Sequence, residues 1–164
     1  MLTNNILLRD AVPMEGDVFL RDFVEHLRSL LQSLSLMKAG FGLQMEVGRG
    51  CASVVRLFPI QLFQVLVNLG SNSIKYATQL TVRVEEEGSM LKFELEDNGR
   101  GLSAEFVERL GLAGQGERIQ DKNSLPGTGM GLGICKELLG RMGGQLRYKQ
   151  REGGGASFEV SWFV

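Results

Sequence analysis

At 164 residues the chain fits one domain built around a single sizeable core. Its hydrophobic fraction of 43% and charged fraction of 23% are those of a soluble globular protein. A formal net charge of −1 excludes any bulk electrostatic pull toward nucleic acid or anionic lipid.

Residues 1–16 are poorly patterned, with "ILLRDAV" a possible short strand, and are read as a lead-in to a domain over 17–164. Over 17–38 the apolar positions Val18, Phe19, Phe23, Leu27, Leu30, Leu31 and Leu34 recur at helical spacing, with Asp17 as the expected N-cap and Gly40 as the stop. "FGLQMEV" and "SVVRLF" read as two short strands joined by the "GRGCA" turn. Pro59 suits the first turn of a second helix running to about Tyr76. "QLTVRVEE" and "MLKFELED" alternate and form an expected hairpin around Gly88. The stretch 98–128 is glycine-rich and polar, with one helical turn around "SAEFVERL"; a loop of that length is usually functional or mobile. A third helix is expected over 131–142. "QLRYKQ" and "ASFEVSWFV" then close the chain as a hairpin around 152–155. The pattern predicts an α+β two-layer fold.

Residues 57–74 carry no charge, which raises the question of a membrane span. Gln61, Gln64, Asn68, Ser71, Asn72, Ser73 and Pro59 within the stretch argue against one. Cys51 and Cys135 lie far apart without metal-type spacing. With no secretory segment, a reduced, cytoplasmic setting is expected, with no direct membrane contact by this domain.

At 100° per residue, Gln61, Gln64, Asn68, Ser71, Asn72, Lys75 and Tyr76 share one face of the second helix, with Val65 alone breaking it. Such a face is either a solvated exterior or a ligand surface. Solvated faces favour Glu, Lys and Arg, whereas this one carries amides and hydroxyls, and Asn is a mediocre helix former. Amide oxygens suit Mg²⁺, a lysine meets phosphate as a point charge, and a tyrosine ring stacks on a base. In "ELEDNGRG", Asp97 follows a strand and precedes Gly99 and Gly101. It reads either as an Asp-Asn-Gly turn or as an acceptor for the exocyclic amine of adenine. "PGTGMGLGICKELL" sets Gly127, Gly129, Gly131 and Gly133 ahead of a helix, where backbone N–H groups form an anion site. No strand precedes it and no Gly-Lys-Ser/Thr follows, so it is neither a Rossmann fingerprint nor a Walker A loop.

Taken together and in this order, the three elements resemble the ATP-binding catalytic domain of sensor histidine kinases, within the wider Bergerat-fold ATPases. "QVLVNLGSNSIKYA" matches the N-box, "DNGRG" the G1 box and "GTGMGLGICKELLGRMGG" the G2 box. The resemblance implies a sandwich of a mixed, mostly antiparallel sheet on three helices, with ATP and Mg²⁺ as cofactors and a lid at about 102–126. It implies Mg²⁺ on Asn72, with Asn68 helping at the metal or the phosphates. Lys75 would meet phosphate, Tyr76 would pack on adenine and Asp97 would take the adenine amine. Gly99, Gly101 and Leu102 would shape that pocket. Gly127, Thr128, Gly129, Met130, Gly131 and Leu132 would hold the phosphates and position the lid.

Family members that hydrolyse ATP or phosphorylate serine typically carry Glu at the position matching Asn68. Asn cannot act as a base, and neutral imidazole already presents a lone pair. Asn68 therefore favours a histidine acceptor over a gyrase-like ATPase or an anti-sigma-type serine kinase. The implied partners are a histidine-bearing dimerisation domain and, indirectly, a response regulator. His26 reads as a residue of the first helix, because the stretch between it and Asn68 leaves no room for an acceptor hairpin. The sequence departs from the family at Phe58, where Asp is common, and in the lid, which lacks the usual phenylalanine pair. Arg109, Arg118 and Lys122 are the lid cations. The altered lid keeps open a non-catalytic docking module that regulates another kinase.

Overall fold

The computed structural model describes residues 14–111 and 128–164, of which 128–130 are described as helix backbone only. The expected strand in "ILLRDAV" lies outside them. The elements are β1 (Gly16–Phe19), α1 (Leu20–Ser35), β2 (Gly42–Val47), β3 (Val54–Leu57), α2 (Pro59–Tyr76), β4 (Gln79–Glu87), β5 (Met90–Asp97), α3 (Ala104–Leu110), α4 (Thr128–Arg141), β6 (Gln145–Gln150) and β7 (Ala156–Phe163). A five-stranded sheet runs β2-β4-β5-β7-β6, parallel only between β2 and β4. Helices cover one face of it, so the mixed-sheet sandwich holds as read.

Strand alternation builds the core. Leu80, Val82 and Val84 of β4, Leu91, Phe93 and Leu95 of β5, and Phe158, Val160 and Trp162 of β7 are all buried toward the helices. Phe93 stacks on Trp162 at 5.7 Å between ring centroids and meets Phe23 of α1 edge-on at 6.1 Å. Helix α1 adds Leu20, Phe23, Val24, Leu27 and Leu31 to this core. A Cβ on Gly70 of α2 would sit 2.6 Å from Leu31, so a glycine is what lets the two helices approach there.

Two local expectations give way to tertiary pairing. Asp17 does not cap α1. Residues 16–19 pair antiparallel with β3 in a separate two-stranded sheet, and the Asp17 carboxylate meets Arg56, which also bonds Glu15. The N-cap is Phe19, with no side-chain cap, and Ser53 supplies the carbonyl for the Leu20 N–H at 2.9 Å. The strands β2 and β3 flank the "GRGCA" turn but belong to different sheets, because β2 lies parallel to β4 and α2 forms the crossover. Helix α1 also ends at Ser35, and Gly40 (φ +75°) instead bends the turn into β2.

The C-terminus of α2 is held by a cation. Lys38 donates to the carbonyls of Ile74, at 3.0 Å, and of Ala77, carbonyls left over where the helix ends. Asn98 accepts from the N–H groups of Thr78 and Gln79, both at 2.9 Å, and donates to Thr78 Oγ1. The end of α2 is therefore tied both to the α1–β2 turn and to the end of β5. Among the described residues no helix is long and apolar enough to cross a membrane.

On the outer face of β5, burial and the neighbouring Glu96 charge push the Glu94 carboxyl above the usual range. Burial raises Glu96 too, but the Arg83 hydrogen bond and charge outweigh it and hold Glu96 low. A carboxyl raised in the fold stabilises when protonated, and that contribution is lost as pH rises through its folded pKa. Glu94→Gln is expected to raise the melting temperature at neutral pH, with the gain shrinking toward about pH 4, where the unfolded carboxyl also protonates. Melting curves at both pH values check this; a gain that does not depend on pH contradicts it.

Candidate functional site

The site lies where the C-terminal half of α2, the end of β5, the start of β7 and α4 converge. Asn72, Ser73, Tyr76, Asp97, Gly99 and Leu132 line a cavity of about 50 Å³ there, with Gly101 and Leu102 beside them.

Asp97 occupies the site because of strand periodicity. It follows Leu91, Phe93 and Leu95 on the inward face of β5, so the alternation that builds the core delivers a carboxylate into it, 7% exposed. Oδ1 accepts from the N–H of Gly99 at 2.9 Å and of Ala156 at 3.2 Å, and Oδ2 accepts from Ser73 Oγ at 2.8 Å. The Asp97 carbonyl takes a hydrogen bond from Arg151 at 2.8 Å. A simple Asp-Asn-Gly turn accounts for the Gly99 bond but not for the contacts to α2 and β7.

The glycines around Asp97 are demanded by neighbouring protein. At Gly155 φ is +111° and a Cβ would come 2.1 Å from the Asp97 carbonyl oxygen, so the β6–β7 turn lies directly across the strand end. At Gly101 φ is +73° and a Cβ would meet Gln150 Oε1 at 2.4 Å and Tyr148 Oη at 2.7 Å. Tyr148 Oη in turn accepts from the Leu102 N–H at 2.8 Å and donates to Gln150, which fixes the point where the chain leaves β5. Gly99 packs against the Tyr76 carbonyl and Ala77. Gly131 differs, since a Cβ there would meet nothing within 4 Å. Packing among the described residues does not by itself require that glycine.

The polar face of α2 is not solvated as a whole. Gln61 is buried, and Val65 is fully buried with its carbonyl 3.8 Å from Cys135 Sγ of α4. Val65 therefore marks the contact with α4 and is no flaw in the pattern. Asn68 is half-buried: Gln64 Nε2 donates to its Oδ1 at 3.1 Å, and its Nδ2 is enclosed without a hydrogen-bond partner among the described residues. Cys135 lies beside it, its thiol pushed up to about 12 by burial, and so is inert as a nucleophile. The half-buried Asn72 and the exposed Lys75 make no side-chain hydrogen bond or ion pair among the described residues. Tyr76 is 40% exposed, with the Arg100 guanidinium 5.6 Å over its ring.

Among the described residues no group of three His, Cys, Asp or Glu side chains converges to hold a metal. Amide oxygen is a donor that suits Mg²⁺, and the Asn72 amide at the cavity, with no side-chain hydrogen bond among the described residues, fits such a role. In the glycine string, Thr128, Gly129 and Met130 form the first turn of α4, earlier than the expected start at Gly131. The N–H groups of such a turn have no partner within the helix. Leu132 is buried at the cavity wall. Gly127, Arg118 and Lys122 lie outside the described residues. Arg109 lies in α3, its guanidinium 4.7 Å over the Phe106 ring. Phe58 precedes α2 with no side-chain cap, the cost of the missing aspartate. His26 lies on α1 as read, its Nδ1 3.0 Å from the Asp22 carbonyl. It borders a larger, mainly apolar groove formed with Phe19, Phe23, Ile60 and Phe63, whose polar lining is Asp17, Asp22, His26 and Gln64.

A family model described as histidine kinase-, DNA gyrase B- and HSP90-like ATPase matches residues 58–164. The chain is 35% identical over 124 residues to the phytochrome-like protein Cph1 of Synechocystis, a match covering 73% of this chain and 16% of that protein. It is 31% identical over 156 residues to the aerobic respiration control sensor protein ArcB of Escherichia coli, covering 93% of this chain and 19% of that protein. It thus spans less than a fifth of the length of these curated relatives. The Acinetobacter baumannii histidine kinase AdeS shares the fold, with a TM-score of 0.73 at 17% identity over 98% of this chain and 74% of that one.

Gly155→Ala is expected to cost about 1–3 kcal/mol more than Gly153→Ala in chemical denaturation. Both positions have positive φ, but a Cβ at Gly153 meets open space while one at Gly155 meets Asp97. Equal losses in the two variants contradict the close approach.

Proposed function

The chain belongs to the histidine kinase-, DNA gyrase B- and HSP90-like ATPase family, and on that footing we propose that it binds Mg²⁺-ATP between α2 and α4 and donates the γ-phosphate to a histidine on a separate acceptor domain, in two-component signalling. The observation that carries the reading is one cavity lined by a buried, acceptor-only carboxylate, Asp97, and by the Asn72 amide, one helical turn from a second amide at Asn68.

Each side chain has a part in this reading. Asp97 accepts the adenine amine, and Tyr76 with Leu132 flanks the base. Asn72 supplies an amide oxygen to Mg²⁺, and Asn68, held by Gln64 one turn back on α2, helps at the metal or the phosphates. Lys75 sits at the end of α2 as a point charge for phosphate. The first turn of α4 offers backbone N–H groups to the phosphate chain. Asn72 would help hold Mg²⁺, which would supply positive charge against that of the phosphates.

The acceptor follows from what α2 lacks. Asn68 has no proton-accepting group, so a hydroxyl or water nucleophile finds no base there. Neutral imidazole brings its own lone pair and needs none. With Asn68 where family members that hydrolyse ATP or phosphorylate serine typically carry Glu, the proposed acceptor is a histidine on a separate dimerisation domain, with a response regulator as the next recipient and the cytoplasm as the setting.

The test is Mg²⁺-dependent binding of an ATP analogue, followed by transfer of labelled γ-phosphate to a supplied acceptor domain. Asp97→Asn is expected to weaken ATP binding about 10- to 100-fold, the worth of a hydrogen bond to a charged group. Asn72→Ala is expected to abolish transfer and the Mg²⁺ dependence of binding while the base still binds. Unchanged affinity in the Asp97 variant contradicts the assignment. Binding without transfer by the unsubstituted chain favours a non-catalytic docking module instead, and labelling of His26 places the acceptor within this chain.

A further inference from the structure

Ser73 lies on the face of α2 that the periodicity assigns to the core, and it is 2% exposed. Its hydroxyl is nonetheless a wall of the Asp97 cavity. Two acceptors are within reach: the Leu69 carbonyl one turn back, at 3.3 Å, and Asp97 Oδ2, at 2.8 Å. The shorter, charge-assisted contact takes the single proton.

That choice decides what Asp97 has left to offer. An ionised carboxylate has about four lone-pair sites. Oδ1 accepts from both Gly99 N–H and Ala156 N–H, and so is saturated. Oδ2 accepts from Ser73 alone, leaving one lone pair for a ligand. Gly99 and Ala156 fix the carboxylate at one oxygen, and Ser73 fixes it at the other. Its plane, and hence the direction of the remaining lone pair, is set only when all three bonds are made.

We infer that Ser73 is a positioning residue that sets purine specificity, by aiming the one open acceptor of Asp97 at the C6 substituent of the base. The inference rests on the proposed nucleotide reading of this site. An amine at C6 donates to that lone pair, whereas a carbonyl oxygen faces it as one acceptor against another. The discrimination depends on direction: without the serine hydroxyl, Oδ2 has two open lone pairs and no anchor, and the advantage of the amine falls.

Adenine and hypoxanthine nucleotides differ at C6 in this way. Calorimetric titration of Mg²⁺-ATP and Mg²⁺-ITP into the unsubstituted chain, Ser73→Ala and Ser73→Cys reads the effect. The unsubstituted chain is expected to prefer ATP. Ser73→Ala is expected to lose about fivefold in ATP affinity, part of the worth of the amine contact with Asp97, with ITP affinity unchanged, so that the preference narrows by the same factor. Ser73→Cys, similar in size but a weaker donor, falls between the two. A merely structural serine weakens both nucleotides alike or neither, and an unchanged ATP-to-ITP ratio in a folded Ser73→Ala overturns the inference while leaving the nucleotide reading intact. An unsubstituted chain that binds neither nucleotide, or both equally, overturns this inference together with the adenine contact of Asp97.

Discussion

A carboxylate buried at the end of a strand is the constraint on which the rest of the site depends. Burying an unpaired charge is expensive, and Asp97 meets that demand by collecting hydrogen bonds from three other segments: α2 through Ser73, the β5 exit through Gly99, and β7 through Ala156. Each donor must arrive at its place for the charge to be tolerated. The convergence of those segments is therefore a condition of folding as well as of binding. What remains of the carboxylate after this accounting is one acceptor, and the cavity beside it is where a ligand can use it.

The glycines serve the same end. The turn before β7 passes so close to Asp97 that a side chain at Gly155 would collide with its carbonyl, and the segment after Asp97 passes so close to Tyr148 and Gln150 that Gly101 has no room either. Among the described residues, positive φ is confined to glycines. Across the cavity the design is reversed. Among the described residues nothing lies within 4 Å of a Cβ at Gly131, and the Asn72 amide makes no side-chain hydrogen bond.

Much of this was legible in the sequence. Period-two alternation gave β4 and β5, but Asp97 was read as following the strand, whereas it is the last residue of β5 and continues the inward face. The amides at Asn68 and Asn72, one turn apart on an otherwise uncharged helix, marked α2. Contacts between distant segments were not legible. Asp17 looked like a helix cap until pairing with β3 made it a strand residue bound to Arg56. Val65 looked like an interruption, and Gln61 looked exposed, because no local rule reports that α4 covers that side of α2. Ser73 was assigned to the core, correctly as to burial, but its bond to a residue 24 positions away has no local signature. A serine amid an apolar helical stripe is the signal that was available, since a buried hydroxyl requires a partner.

The central claim is that a purine lies against Asp97, and amide resonances report on it most directly. In a ¹H–¹⁵N correlation titration of the folded chain with Mg²⁺-ATP, the N–H groups of Gly99 and Ala156, which bond the carboxylate, are predicted to shift saturably with those of Ser73 and Gly131. Saturable binding that leaves Gly99 and Ala156 unmoved, or no shift at millimolar nucleotide, contradicts the account.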